Sequence, residues 1–188
     1  MKISLKTCIA LCTMSLILSC SLETDDINND LNSESLSSKN FNAKNQEVTV
    51  PFKSSFSTSL GTMENPVVCD GLDLVIQVGG GEATHLGAFT TEMSFCVDPN
   101  FFYYGVVGTF YAANGDELWI SIPTGQVIPN PELPEPYLFY FTDDFFFVGG
   151  TGRFVGATGG GTTNSFVQAT LSTDHEWDGI LTFMPGKD

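Results

Sequence analysis

The sequence predicts an all-β fold, most simply an eight-stranded antiparallel barrel, with a two-sheet sandwich as the alternative. Apolar and polar residues alternate along most of the chain from Glu47 onward, and Gly-rich or Asn-Gly segments separate the alternating stretches. This alternation is typical of half-buried antiparallel strands. No segment of ten or more residues has helical periodicity. Closure is favoured because it removes exposed sheet edges.

Eight segments have this pattern. Asn114-Gly115 separates the fourth from the fifth and is typical of a tight hairpin. The triple glycines at 79–81 and 159–161 mark bends or bulges. The apolar residues that alternate are, in chain order, Val48, Val50, Phe52, Phe56 and Leu60; Leu72, Leu74, Ile76 and Val78; Phe89, Met93, Phe95 and Val97; and Leu118, Ile120 and Ile122. The predicted strands are 48–60, 72–80, 83–97, 102–113, 116–123, 136–148, 160–172 and 176–184.

The sixth predicted strand, 136–148, is apolar on both faces. Its aromatic residues fall on alternate sides, with Tyr137, Phe139, Phe141, Phe145 and Phe147 on one and Leu138, Tyr140, Phe146 and Val148 on the other. The second face needs a cover, either another subunit or the extended loop predicted for Pro123–Pro136, which contains five prolines. A subunit cover would indicate a homo-oligomer.

The N-terminal residues 1–19 are predicted to be a signal peptide. Two lysines precede an apolar run at 7–18, which is too short to span a membrane. The run ends at Ile17, Ser19 and Cys20, which resembles the lipobox of bacterial lipoproteins. We therefore expect cleavage after Ser19 and acylation of Cys20 by fatty acid such as palmitate, anchoring the chain in the cell envelope, at the outer membrane. An ordinary secretory signal peptide is the alternative.

Residues 20–46 are predicted to be a disordered tether, because Ser, Asn and Asp dominate and little apolar surface can be buried. Residues 47–188 then form the barrel domain. The chain has a formal net charge of −15, and removal of the signal-peptide lysines makes it more negative. Such a charge excludes nucleic acid as a partner and argues against lying flat on an anionic membrane, so the lipid must anchor the protein.

The cysteines separate by position. Cys8 and Cys12 leave with the signal peptide, and Cys20 takes the lipid, so Cys69 and Cys96 remain. In an exported protein two remaining cysteines usually pair, and this disulfide would stabilise the fold by about 3.5 kcal/mol. Two free buried thiols, or half of a metal site, are the alternatives, although no CxxC or Cys/His cluster supports a metal.

Other polar motifs have structural explanations. Residues 149–159 superficially resemble a phosphate-binding loop, but GK[ST] is missing and no helix is predicted to follow. Arg153 within it is expected to anchor a carboxylate or carbonyl groups. His85 and His175 lack a catalytic or ligand partner at useful spacing, and the acidic residues at 174, 176 and 178 are predicted to form a solvated face. No catalytic residue, metal or cofactor is predicted.

Three segments together resemble the allene oxide cyclase-like barrel group, which includes plant allene oxide cyclases and dirigent proteins. They are GGTGRFVGATGGGT, GGGEATHLGAFT and FYAANGDEL, and the resemblance covers roughly residues 47–184. It implies an eight-stranded antiparallel barrel, often trimeric, with an apolar cavity for a lipid-derived or phenolic substrate. It assigns no catalytic residue to a position in this chain.

These observations predict a membrane-anchored lipoprotein whose barrel binds a small apolar ligand or serves as a structural envelope module. A cyclase- or isomerase-type enzyme is the alternative. Candidate cavity residues are Asp143, Phe141 and Phe145, since the carboxyl of Asp143 shares a strand face with phenylalanines. A carboxylate in such a lining would have its ionised form disfavoured.

Overall fold

A computed structural model describes residues 47–184, in ten strands and one short 3-10 turn at Gly152–Phe154. The predicted signal peptide, Cys20 and the tether lie outside the described residues. No helix among the described residues is long and apolar enough to cross a membrane. The strands are β1 Val48–Leu60, β2 Asp73–Ala83, β3 Gly87–Val97, β4 Phe102–Ala112, β5 Glu117–Gln126, β6 Ile128–Pro129, β7 Tyr137–Phe141, β8 Asp144–Gly150, β9 Thr158–Gln168 and β10 Thr173–Phe183.

The strands close into an eight-stranded antiparallel barrel. Neighbours follow the order β1-β2-β3-β4-β5-β8-β9-β10, and β10 pairs with β1 to complete the ring. The barrel prediction is therefore confirmed over the sandwich. Strands β6 and β7 form a short extension in which β6 pairs with β7 and β7 pairs with the C-terminal half of β9.

The long aromatic strand predicted at 136–148 is in fact two strands. β8 pairs with both β5 and β9, whereas β7 pairs with β9 and β6 and has no pairing with β5. The two strands are separated by Thr142 and Asp143, which belong to neither. The predicted proline loop also begins later than expected, because β5 continues to Gln126. Strand β5 can include Pro123 because this residue is not paired with β4. The N–H that proline lacks therefore removes no hydrogen bond between the two strands.

The barrel interior follows the predicted alternation in most strands. Met93, Leu118, Ile120 and Ile122 are buried inside, as expected. Buried side chains such as Phe52 and Leu181 occupy the end where β1 begins, called here the packed end. Aromatic rings of the interior meet edge to face or stacked, as for Phe145 and Trp177 with centroids 4.8 Å apart. Aromatic pairs in such geometries stabilise beyond their buried area.

Strand β2 is the exception, because its sides are reversed. Asp73, Val75 and Gln77 line the interior, whereas Leu74 and Ile76 point outward. Their outer face lies beside Ser94 and Cys96 of β3, which the β1–β2 connection covers: the Ser94 hydroxyl accepts a hydrogen bond from the Val67 N–H at 3.1 Å. Leu74 and Ile76 therefore lie on the outer face of the barrel, next to the β3 residues that this connection covers, whereas Val75 faces the cavity.

The predicted disulfide between Cys69 and Cys96 is present, with its Cα atoms 5.5 Å apart. It fastens the β1–β2 connection to the outside of β3 and confirms the pairing inferred from compartment and count. The rival readings, two free thiols or half of a metal site, do not apply to these residues.

The outer face of the aromatic strands is largely uncovered. Phe146 and Val148 are 47% and 57% exposed, and Leu138 is also exposed. The proline segment reaches β7, where Ile128 pairs with Tyr140 and the Asn130 N–H donates to the Leu138 carbonyl at 3.0 Å. Cover by this segment, one of the two alternatives, therefore does not extend to β8, because β6 pairs with β7 and not with β8.

Candidate ligand cavity

A cavity of about 420 Å³ occupies one end of the barrel, opposite the end at which β1 begins. Its mouth lies where β1 ends, β2 begins and β3 ends, at Leu60, Asp73 and Val97. Apolar and aromatic side chains form most of its wall. The volume and composition match those of small-molecule sites in proteins. The aromatic residues of the wall are Phe95, Phe101, Tyr103, Phe139, Phe141 and Trp177.

The cavity exists because the strand between β5 and β9 is interrupted. At the packed end β8 bridges these two strands and places Phe145 and Phe147 inside. At the open end β7 pairs with β9 but not with β5. The barrel wall therefore has no hydrogen-bonded ladder between β5 and β7. The side chain of Asp143 lies in this gap, between the two short strands.

Asp143 is held on both its backbone and its side chain. Its N–H donates to the Thr163 hydroxyl at 2.9 Å, and its carbonyl accepts from the Thr163 N–H at 2.8 Å. The carboxylate accepts from the Tyr103 hydroxyl at 2.5 Å and from the Gln126 N–H. Gly125 leaves room for this contact, since a Cβ there would overlap the Tyr103 ring and the Asp143 carboxyl.

Burial shifts both partners toward their neutral forms. It raises the pKa of the Asp143 carboxyl above its usual value, against the opposing effect of the Tyr103 hydrogen bond. Burial, reinforced by the Asp143 carboxylate, also raises the pKa of Tyr103. Tyr103 therefore remains a hydroxyl that donates to Asp143, and its oxygen keeps lone pairs that can accept a hydrogen bond.

A series of hydrogen bonds, in which each side chain donates to the next, crosses the cavity floor. The Trp177 indole N–H donates to Ser165 at 3.3 Å, and Ser165 is 2.9 Å from Nδ1 of His175. Nε2 of His175 is 3.0 Å from the Thr58 hydroxyl. That hydroxyl donates to Oε1 of Gln77 at 3.2 Å. Because a hydroxyl has one proton, Nε2 of His175 must carry the ring proton, and Ser165 must donate to Nδ1.

His175 is consequently a neutral histidine. It is 2% exposed, and burial lowers its pKa to about 3, despite the opposing charge of Asp174. Its ring stacks on Phe56 with centroids 4.3 Å apart. The expectation of a structural role agrees with this environment, although the ring also forms part of the cavity wall.

The three candidate cavity residues occupy different places. Phe141 lines the cavity. Asp143 lies behind Tyr103 and reaches the cavity through that hydroxyl. Phe145 is fully buried at the packed end, where its ring contacts Trp177 and Phe52 rather than the open space.

The other singled-out residues lie away from the cavity or face solvent. Arg153 pairs with Asp116, with Nε 3.2 Å from Oδ2, as expected of a residue that anchors a carboxylate. His85 is an exposed turn residue with a φ of 67°. Glu176 and Asp178 are exposed on the outside of β10. Within residues 47–184, no three His, Cys, Asp or Glu side chains are grouped as a metal site would require.

The residues that sequence reasoning missed are Tyr103, Gln77 and the mouth carboxylates. Tyr103 could not be found from alternation, because the β3–β4 register shifts between it and Val106, so both are buried although they lie three positions apart. Gln77 could not be found either, since its strand has its apolar residues on the outside.

No protein-family model matches this chain, and no curated protein sequence does. Among solved structures, the chain is similar to the pterocarpan synthase dirigent protein GePTS1, at 14% sequence identity and a TM-score of 0.47. The match covers 73% of this chain and 86% of that chain. A similarity of this size concerns strand arrangement alone and assigns no role to any cavity residue.

Proposed function

We propose that this protein is a lipid-anchored envelope protein whose barrel binds a small apolar ligand. One observation supports binding above the others, the cavity of about 420 Å³ with a predominantly apolar and aromatic wall. Removing an apolar ligand from water into such a wall is favourable. Few polar groups interrupt this wall, and those at its floor and side are held by hydrogen bonds, which is the pattern that orients a ligand at low entropic cost.

The wall is also organised before a ligand arrives. The chain from Trp177 to Gln77 fixes the floor, and the Tyr103–Asp143 hydrogen bond fixes the side. Buried polar groups that satisfy one another in this way favour a single arrangement. A ligand therefore meets a preformed surface.

Ligand binding can be tested with a substitution that fills the cavity with a larger side chain. Val75 lines it near the mouth and is half-buried, so Val75→Trp should displace the ligand while leaving the packed end unchanged. The matched control is Val107→Trp, at an exposed valine on the outside of β4. Binding of the neutral dye Nile red to the delipidated domain should weaken at least about tenfold in Val75→Trp only. Equal binding by all three proteins, with unchanged thermal unfolding, would leave the structural envelope module as the better explanation.

The anchoring part of the proposal depends on the motif ending at Cys20. Cells expressing Cys20→Ser should lose incorporation of an alkyne-tagged palmitate into the protein and should release it from the membrane fraction. Cys12→Ser, within the predicted signal peptide, is the control and should be labelled normally. Continued labelling of Cys20→Ser would refute acylation at this residue.

A second candidate function, a cyclase- or isomerase-type enzyme, is favoured by the Tyr103–Asp143 pair. An isomerase needs a group that gives a proton to the substrate and takes one back, so that composition is unchanged. A carboxyl with a raised pKa beside a cavity hydroxyl suits that task. Tyr103→Phe and Asp143→Asn would then abolish conversion while ligands still bind. Conversion that survives both changes would exclude this candidate.

We also propose self-association through the uncovered outer face of the aromatic strands. Phe146→Asp should shift the assembly toward monomer in size-exclusion chromatography with light scattering. Val155→Asp, equally exposed beside the 3-10 turn, is the control. A wild-type protein that is monomeric at all concentrations would refute the proposal.

A further inference from the structure

The cavity mouth has carboxylates and no cation. Asp73 begins β2 and pairs with Val97 of β3, and Asp98 follows Val97 in the chain that leaves β3. Both aspartates line the cavity. Asp73 has no hydrogen-bond or ion-pair partner among the described residues. No lysine or arginine lines the cavity, and His175 at the floor is neutral.

The cationic side chains in the described residues are engaged elsewhere. Lys53 pairs with Asp178 at 3.1 Å on the outside of the barrel, and Arg153 pairs with Asp116. Neither belongs to the cavity wall. The negative charge at the mouth is therefore not neutralised by the residues that the structure describes.

The polar atoms near the mouth accept hydrogen bonds rather than donate them. Oδ1 of Asp98 accepts from the N–H groups of Asn100 and Phe102, at 2.8 and 3.0 Å. Oδ2 has only the distant Tyr104 hydroxyl at 3.4 Å, so it can accept another donor. The Tyr103 oxygen also presents lone pairs, since its proton is given to Asp143.

An aromatic ring is held at the same rim in a backbone conformation that is costly for its type. Phe101 has a φ of 64° and is 48% exposed. Its ring lies 5.8 Å from that of Phe139, and both belong to the cavity wall. A non-glycine residue in the left-handed region persists only when its surroundings impose it, and such residues often occur at ligand sites. The rim thus combines carboxylates with aromatic faces.

We propose that the cavity selects an aromatic or aliphatic amine, whose apolar body enters the barrel while its protonated nitrogen stays at the mouth beside Asp73 and Asp98. This inference rests on the proposed ligand-binding function and specifies its ligand class. An ammonium group supplies the donors that the rim lacks, and aromatic faces attract it further. A carboxylate ligand such as a fatty acid would instead meet like charges at this mouth.

A divalent metal ion is a poorer occupant of the same rim. Calcium takes six to eight oxygen ligands, whereas only two carboxylates line the cavity here and one of them already caps a turn. An organic cation needs fewer oxygen contacts, because the wall supplies the rest of its binding energy.

The experiment compares three ligands with one apolar body: naphthylethylamine, naphthylethanol and naphthylacetate. Isothermal titration calorimetry at neutral pH should place the amine about tenfold tighter than the alcohol, with the acid weakest. In Asp73→Asn/Asp98→Asn the amine should weaken at least about fivefold, the magnitude of an exposed ion pair, and the alcohol should not change. Asparagine keeps the acceptor that caps the turn after Asp98.

The matched control removes a charge from the same strand without touching the cavity. Glu82 of β2 is exposed and points outward, so Glu82→Gln should leave the amine affinity unchanged. A similar loss in Glu82→Gln would mean that the overall charge of the domain, and not the mouth, selects the amine, which overturns the proposal.

The remaining outcomes separate the two proposals. If the alcohol binds as tightly as the amine, or the acid binds tightest, and Val75→Trp abolishes that binding, then the amine proposal is refuted and ligand binding stands. If neither the three naphthyl ligands nor Nile red binds, the ligand-binding function itself fails, and the amine proposal fails with it.

Discussion

Acid should destabilise this domain mainly through His175, and the effect can be calculated from its environment. Burial lowers the pKa of the folded ring from 6.5 to about 3. The unfolded ring binds a proton as the pH falls through its normal pKa, while the folded ring does not. The stabilising contribution of the neutral ring is therefore complete above the unfolded pKa and is lost progressively as the pH falls from about 6.5 toward 3.

The magnitude follows from proton linkage. Between about pH 7.5 and pH 5 the free energy of unfolding should fall by about 2 kcal/mol through this histidine alone. Asp174 adds little in that interval. Hydrogen bonds from Ser57 and Tyr137 hold its pKa below the usual value, so it stays ionised. The raised pKa of Asp143 acts in the opposite direction, since protonation favours the folded state.

The assay is urea unfolding of the delipidated domain at the two pH values, for the wild type, His175→Gln and His85→Asn. Glutamine keeps hydrogen-bonding capacity toward Thr58 and Ser165 but does not titrate. Most of the 2 kcal/mol difference should therefore vanish in His175→Gln, whatever its absolute stability. His85→Asn removes an exposed histidine in a positive-φ turn, where Asn is tolerated, and should keep the wild-type difference. The same pH dependence in wild type and His175→Gln would refute the reasoning.

Three further predictions concern the disulfide and the cavity wall. Replacing Cys69 and Cys96 with serine opens a loop with a sequence separation of 27, and the free energy of unfolding should fall by about 3.5 kcal/mol in denaturant titrations; a change below about 1 kcal/mol would contradict the loop-entropy argument. Gly125→Ala should force the Tyr103 ring from Asp143, with a stability loss of about 1–3 kcal/mol and weaker Nile red binding; unchanged binding would show that this contact does not shape the cavity. Asp143→Asn should remove the pH dependence of ligand affinity that lies above the normal carboxyl range, because the Asp143 pKa is raised; an identical pH profile would dismiss a role for this carboxyl.

The sequence by itself was enough for the fold class and for much of the barrel core. Alternation placed the first strand at its observed bounds, and it grouped Leu118, Ile120 and Ile122 on one strand face, which is buried in the structure. This works because successive side chains of a strand point to opposite faces, so an apolar face needs no distant information to be recognised. The disulfide was also predicted from the sequence, because Cys69 and Cys96 are the two cysteines that follow the predicted signal peptide and lipidation site.

The sides of β2 were decided by tertiary structure. Its apolar residues were expected inside, yet Asp73, Val75 and Gln77 line the cavity. One face of this strand lines the cavity, and the other lies beside residues covered by the connection that the disulfide fastens. Local polarity therefore does not distinguish the two faces. The pattern alone cannot show that a covering segment lies outside the barrel.

The cavity also required the three-dimensional fold. Phe141 and Phe145 share a face in the sequence, but one lines open space and the other is packed, because β8 bridges β5 and β9 whereas β7 does not reach β5. Contacts across many residues, such as Tyr103 with Asp143, depend on barrel closure. Strand periodicity determined which residues could face inward, and the pairing of distant strands determined where the interior stays hollow and what charges surround its mouth.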